Sequence, residues 1–263
     1  MKFKTKFLIA VFILFSGSLF AQPKLTLHVT GGYGVPLGDF KVDVPTTERV
    51  DADNFPFYTK HDIVIGADGK LAIGKKGNFR AVFGLTYNMF SNNTDAIFKA
   101  DSTGTLVTTN FKPKVNILSV YLGGEWAFLP KGKVNPFVGV DIVGNFFGGS
   151  FEFGQSVFVK GAQRTGPMDM KAETRIGFLF DAGVDFMLSK QVGAIVGAKY
   201  HLINPLGKGA DVESEVGPNE IDLGDKAHTR DDGTQSPNLS LSSVNFYAGV
   251  SFYFGAPKPQ VKK

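Results

Sequence analysis

From residue 25 onward, apolar and polar residues alternate at period two, in stretches long enough to cross a bilayer, and the charges fall almost wholly on one parity. Leu25, Leu27, Val29, Tyr33 and Val35 share one parity, whereas Thr26, His28, Thr30, Gly32 and Gly34 occupy the other. The same alternation recurs over 63–73, 79–89, 118–128, 138–146, 176–186, 192–202 and 244–254, giving eight segments. Most reach the roughly 9–11 residues that a tilted strand needs to span hydrocarbon. A sheet in lipid cannot leave an edge unpaired, and an even number of antiparallel strands can close on itself. The pattern therefore predicts an all-β fold, a closed antiparallel transmembrane β-barrel of eight strands.

One parity carries Asp68, Lys70, Arg80, Glu125, Asp141, Arg175, Asp181, Asp185 and Lys199, with His28 and His201 nearby. The other carries almost no charge, as a lipid face must, since a basic residue at the bilayer midplane costs about 2–4 kcal/mol. The charged parity faces inward. An eight-stranded barrel has an interior just wide enough for its own side chains. Five acids and four bases there are expected to pair with one another as a plug rather than line an open channel. Arg175 is the expected central cation, because a guanidinium forks to two carboxylates and stays charged. Its candidate partners are Glu125, Asp141, Asp181 and Asp185.

Connections alternate strictly in length. Residues 74–78, 129–136 and 188–191 are short and turn-like, while 36–62, 91–114, 148–173 and 203–241 are long. Short turns on the periplasmic side and long extracellular loops fit such a barrel. Asp68-Gly69 has the composition of a tight hairpin turn. The parity runs straight through it, however, and half-strands could not span, so 63–73 reads as one strand.

Ahead of the alternation, Lys2, Lys4 and Lys6 precede an unbroken apolar run over 7–15, and a small-residue segment leads to Ala21. This is the pattern of a secretory signal peptide, residues 1–21, cleaved after Ala21. The apolar run is shorter than the ~20 residues of a spanning helix. Without the segment the net charge falls from +4 to +1. The basic balance thus belongs largely to the export signal, and nucleic acid is not an expected partner. The barrel domain is 22–254, followed by a short polar periplasmic tail, 255–263. A mean hydropathy of +0.02 suits strands that are apolar on one face only. With 32 Gly, 26 Phe and no Cys, the composition suits lipid-facing strands and excludes disulfides and thiolate metal sites.

The opening GGYGVPLGDF at 31–40 and the closing strand NFYAGVSFYF at 245–254 resemble those of the eight-stranded outer-membrane barrel-domain proteins of Gram-negative bacteria, the OmpA/OmpX-like class. The resemblance covers 25–254. It implies residence in the outer membrane, contact with its lipids and lipopolysaccharide, and insertion by the barrel-insertion machinery through a terminal aromatic signal, here Phe254. One departure is that nine residues, GAPKPQVKK, follow Phe254, and the peptidoglycan binding of some members of that class is not expected to carry over.

The residues argue against an enzyme. The inward carboxylates would suit acid–base catalysis only if held in a special environment, and a salt-bridged interior is the simpler reading. The four histidines lack HxxxH or HExxH spacing, so neither metal nor cofactor is expected. The serines lack a nucleophile-elbow setting. The loop 203–240 holds Asp211, Glu213, Glu215, Glu220, Asp222, Asp225, Asp231 and Asp232 against Lys208, Lys226 and Arg230. It is expected to be solvated, with divalent-cation or partner binding as the sharper alternative. Phe146, Phe147, Phe151 and Phe153 are expected to form an interfacial aromatic girdle. Two functions remain: a structural or surface-interaction barrel acting through its loops, or a porin-like barrel passing small or hydrophobic solutes.

Overall fold

The computed structural model describes residues 25–41, 57–74, 76–159, 162–210, 219–229 and 235–254. Residues 1–21, expected to be the signal peptide, and 255–263, expected to be the tail, lie outside the described residues. All regular structure among those described is β: β1 (Leu25–Gly38), β2 (His61–Ile73), β3 (Phe79–Ser91), β4 (Thr94–Lys99), β5 (Leu106–Ala127), β6 (Val134–Phe153), β7 (Val157–Val159), β8 (Ala162–Arg164), β9 (Met168–Met187), β10 (Val192–Leu206), β11 (Glu220–Ile221), β12 (His228–Thr229), β13 (Gln235–Ser236) and β14 (Leu241–Phe254). The eight long strands pair antiparallel in the order β1-β2-β3-β5-β6-β9-β10-β14, and β14 returns to β1 over an unbroken register from Leu25↔Phe254 to Gly38↔Leu241. The sheet therefore closes, and no spanning strand keeps a free edge in lipid.

The eight strands are the eight alternating segments of the sequence, and their faces follow the parity. Val140 is 50 % exposed and its neighbour Asp141 3 %. Leu118, Val120, Leu122 and Trp126 on β5, with Val138, Val140, Ile142 and Phe146 on β6, belong to a continuous exposed apolar belt. β2 and β3 pair without interruption from His61↔Ser91 to Ile73↔Phe79, with Asp68 opposite Gly84, so the Asp68-Gly69 pair lies within one strand. The three short turns are 74–78, 128–133 and 188–191. In the first, Gly74 and Gly77 both adopt positive φ (76° and 72°), a backbone that residues with a Cβ rarely adopt.

The long connections are more ordered than expected. β5 begins at Leu106, twelve residues before the first belt position, and its 22 residues are about twice a bilayer crossing. β6 and β9 extend with it, β4 pairs along its outer length, β7 and β8 form a hairpin, and β11 adds in parallel to β9. The driving force is burial. Beyond the belt the inward parity turns apolar, and Phe111, Val115 and Ile117 join Phe40, Phe57, Phe90, Phe98, Val157, Met168, Ile203 and Leu241 in one core. Phe40 stacks on Phe90 with centroids 4.6 Å apart, and Phe98 meets Phe111 edge-on at 5.4 Å. The expected aromatic girdle is thereby corrected. Phe146 faces outward, but Phe147 and Phe151 are buried in this core and Phe153 packs against it. The chain turns these rings inward because a loop-end cavity in water must be filled by apolar side chains.

Candidate functional site

Within the belt the interior is arranged in tiers. Nearest the short turns, the inward positions of β2, β3, β5 and β9 bring Lys70, Arg80, Glu125 and Asp185 together. Lys70 Nζ lies 2.5 Å from Glu125 and 4.0 Å from Asp185, and Arg80 contacts Glu125 and donates to Asp185 at 2.8 Å. Phe137 of β6 closes this tier, with Lys70 Nζ 3.6 Å from its ring centroid. Two cations face two carboxylates, so the group is neutral and its charges are mutually compensated, as burial requires.

The next tier centres on Lys199 of β10. Its ammonium donates to the Tyr121 hydroxyl (3.0 Å) and lies 3.9 Å from Asp68, between the rings of Tyr121 and Tyr247. Tyr247 donates to Asp181 at 2.8 Å. His28 contacts Ser251 through Nδ1 (3.0 Å) and faces Asp68 at 4.0 Å through Nε2. Asp141 is buried, and its Oδ1 has no hydrogen-bond partner among the described residues. That carboxylate occupies the space over Gly123, where a Cβ would collide with it. Above these groups, Asn88 donates to Asp62 at 2.7 Å, and Ser119 donates to Asn145, which in turn donates to the Ile203 carbonyl, each at 2.7 Å.

Of the nine charged residues expected inside, eight are buried, Asp181 is partly buried, and all but Arg175 lie in the two lower tiers. Arg175 is not the central cation. Its Nε and Nη2 grip Asp225 of the long 207–240 connection at 2.8–3.1 Å, and Nη1 donates to Glu173 at 2.8 Å. Asp225 also accepts from Asn204 (2.8 Å) and from the Gly209 backbone N–H (2.9 Å). The parity placed Arg175 inward correctly, but its height brings it level with the loop rather than with Glu125, Asp141, Asp181 or Asp185. Asp225 is therefore a buried anchor and not part of a solvated acidic stretch, and Asp222 is buried with it. Asp211, Glu213, Glu215, Asp231 and Asp232 lie outside the described residues.

With Arg175 engaged above, Lys70, Arg80 and Lys199 face Asp68, Glu125, Asp141, Asp181 and Asp185, and Asp62 adds a sixth inward carboxylate at the head of β2. The sequence reading missed Asp62 by beginning the strand at 63, two residues late. It also passed over the inward polar and aromatic residues Tyr121, Tyr247, Phe137, Asn88 and Asn145, all of which lie on the charged parity. No group of three or more His, Cys, Asp or Glu able to hold a metal ion occurs among the described residues.

A closed eight-stranded meander with an apolar outer belt and charged groups packed inside defines an integral β-barrel of the small membrane-spanning class. The chain is similar in fold to solved structures of that kind. Neisserial surface protein A is 14 % identical, with 89 % of this chain and 98 % of that chain covered and a TM-score of 0.41. The outer membrane protein OprG of Pseudomonas aeruginosa is 11 % identical, with 89 % and 97 % covered and a TM-score of 0.41. Ail, the attachment invasion locus protein of Yersinia pestis, is 8 % identical, with 88 % and 99 % covered and a TM-score of 0.40. No protein-family model and no curated protein sequence matches the chain.

Proposed function

We propose that this chain is exported by its first 21 residues to the outer membrane of a Gram-negative bacterium. There it serves as a non-enzymatic, non-conducting surface barrel that acts through its strand-extended loop end. Its short turns face the periplasm, and its lipid partners are the phospholipids and lipopolysaccharide that meet the belt. Phe254, exposed at the last position of β14, is the residue the insertion machinery would read. The observation that carries the reading is the double filling of the lumen. Compensated charges and aromatic rings occupy the belt region, and a separate apolar core of loop and strand residues occupies the outer end. A barrel that spends its lumen on side-chain packing has its free surface at the loops.

The porin-like alternative is favoured by one observation, the surplus of inward carboxylates over cations, which would select for positive solutes. Single-channel recording of the purified protein in planar bilayers decides between them. Silence is expected. Steady, cation-selective conductance would overturn the proposal and install the transport reading.

A further inference from the structure

Charge is segregated between the two ends of the barrel. Of the 24 acidic residues, eighteen fall in 36–61, 91–114, 148–173 and 203–241, where they meet twelve bases, and the other six are the inward carboxylates Asp62, Asp68, Glu125, Asp141, Asp181 and Asp185. The three short turns contain no acid at all and five lysines. Among the described residues, Lys76, Lys131, Lys133 and Lys190 are all exposed, and none has an ion-pair partner. The carboxylates nearest this end, Glu125 and Asp185, are buried and already matched by Lys70 and Arg80, so nothing inside offsets the turns.

The turns form one rim. Asn78 of the first donates to Ala127 at the entry to the second (2.9 Å), and the Lys133 carbonyl of the second accepts from Met187 at the entry to the third (2.7 Å). The lysines stand immediately beyond the belt. Lys131 follows exposed Leu129 by two residues, Lys190 follows exposed Leu188 by two, and Lys133 adjoins exposed Val134. That spacing places the ammonium groups at headgroup depth rather than projecting into water.

We infer that the short-turn rim is a basic collar that binds the headgroups of anionic phospholipids. A uniform positive ring at headgroup level attracts phosphates that carry net charge, such as phosphatidylglycerol, over zwitterionic ones. Each lysine near such a surface contributes about a five-fold gain in affinity. An acidic polymer beyond the membrane fits less well, because the lysines sit on short turns against the apolar belt. The periplasmic leaflet is the one concerned if the orientation proposed above holds. The collar itself requires only that the turns meet lipid.

Trp126, the chain's one tryptophan, is a built-in reporter. It is exposed on the belt, pairs with Phe79 beside the first turn, and lies at the end of β5 next to the second. The folded full chain is placed in phosphatidylcholine vesicles containing a minor fraction of brominated phosphatidylglycerol or brominated phosphatidylcholine, and quenching of Trp126 is compared. Brominated phosphatidylglycerol is expected to quench with several-fold higher apparent affinity. The excess should be lost in about 1 M salt, where the Debye length falls to about 3 Å. K76Q/K131Q/K133Q/K190Q should bring the two lipids to near parity, and the matching arginine variant should retain the preference. Heat-modifiable gel migration verifies folding, and the pairs K131Q/K133Q and K76Q/K190Q are read in the same way if the quadruple variant misfolds. Equal quenching in the wild type, or an unchanged preference in the glutamine variants, overturns the inference, including the case in which an acidic polymer is retained instead. The readout is headgroup charge and not current, so its failure is distinct from a failure of the non-conducting reading.

Discussion

Replacing Arg80 by Met tests whether the interior charges are a compensated unit. The side chain keeps roughly its length and apolar stem, so the change removes charge more than volume. In the wild type two cations serve two carboxylates, with side-chain exposures of 2 % for Lys70 and Glu125, 9 % for Arg80 and 5 % for Asp185. After Arg80→Met, Lys70 stays 2.5 Å from Glu125, while Asp185 is left with an ammonium at 4.0 Å and the Asn135 amide at 3.4 Å. One carboxylate is then nearly uncompensated in a dry site. Breaking a buried pair in this way costs about 3–5 kcal/mol, at least a hundredfold in the folding equilibrium. Removing the orphaned charge as well, in Arg80→Met with Asp185→Asn, should return stability to within about 1 kcal/mol of wild type, a strongly non-additive cycle. Urea unfolding of the refolded protein, followed by Trp126 fluorescence, measures all four corners. A loss below about 1 kcal/mol in Arg80→Met, or a double variant as weak as the sum of the singles, would refute mutual compensation.

Spin labels at Val140, Phe180 and Val250 should report lipid contact and those at Asp141, Asp181 and Ser251 should not; equal accessibility of adjacent positions would contradict the alternation. Asp225→Ala should leave Arg175 with only Glu173 and the Thr174 carbonyl and loosen the chain around residue 225, seen as cleavage by added protease under conditions in which the wild type resists, and unchanged protection would remove Asp225 as an anchor. Asp101, in the connection between β4 and β5, is held at about 2 by hydrogen bonds from the Thr103 and Thr105 hydroxyls. The stabilisation this reflects is present above the ordinary carboxylate value and is lost as pH falls toward 2, so an NMR titration midpoint near 4 would show the turn to be unformed.

The fold was legible because the lipid face enforces a rule on every second residue. Val140 beside Asp141, or Phe180 beside Asp181, can be oriented from the sequence alone, and strand number followed from counting such stretches. Height along the axis was not legible, because parity carries no information about it. Arg175 and Arg80 share an inward assignment, yet one meets Asp225 from a loop and the other meets Glu125 and Asp185. The loop end was misread for a related reason. Outside the membrane the outward face turns polar, as at Lys112 and Lys114, so the stretch ceases to resemble a spanning strand. Phe111, Val115 and Ile117 still alternate there at period two, and that signal could have revealed the extension of β5.

The seam between β1 and β14 joins the earliest strand of the sheet to the latest, fourteen residues against fourteen, more than two hundred positions apart in the chain. Contacts of that separation form late, since the loop-closure entropy must be met first. Until they form, the nascent sheet is an open ribbon whose two margins each present a row of unpaired backbone groups, an arrangement that invites pairing with other chains. Closure therefore waits on the fourteen residues of β14. A chain stopped before Leu241 would not be a barrel missing one stave but a sheet with two exposed margins, on β1 and β10.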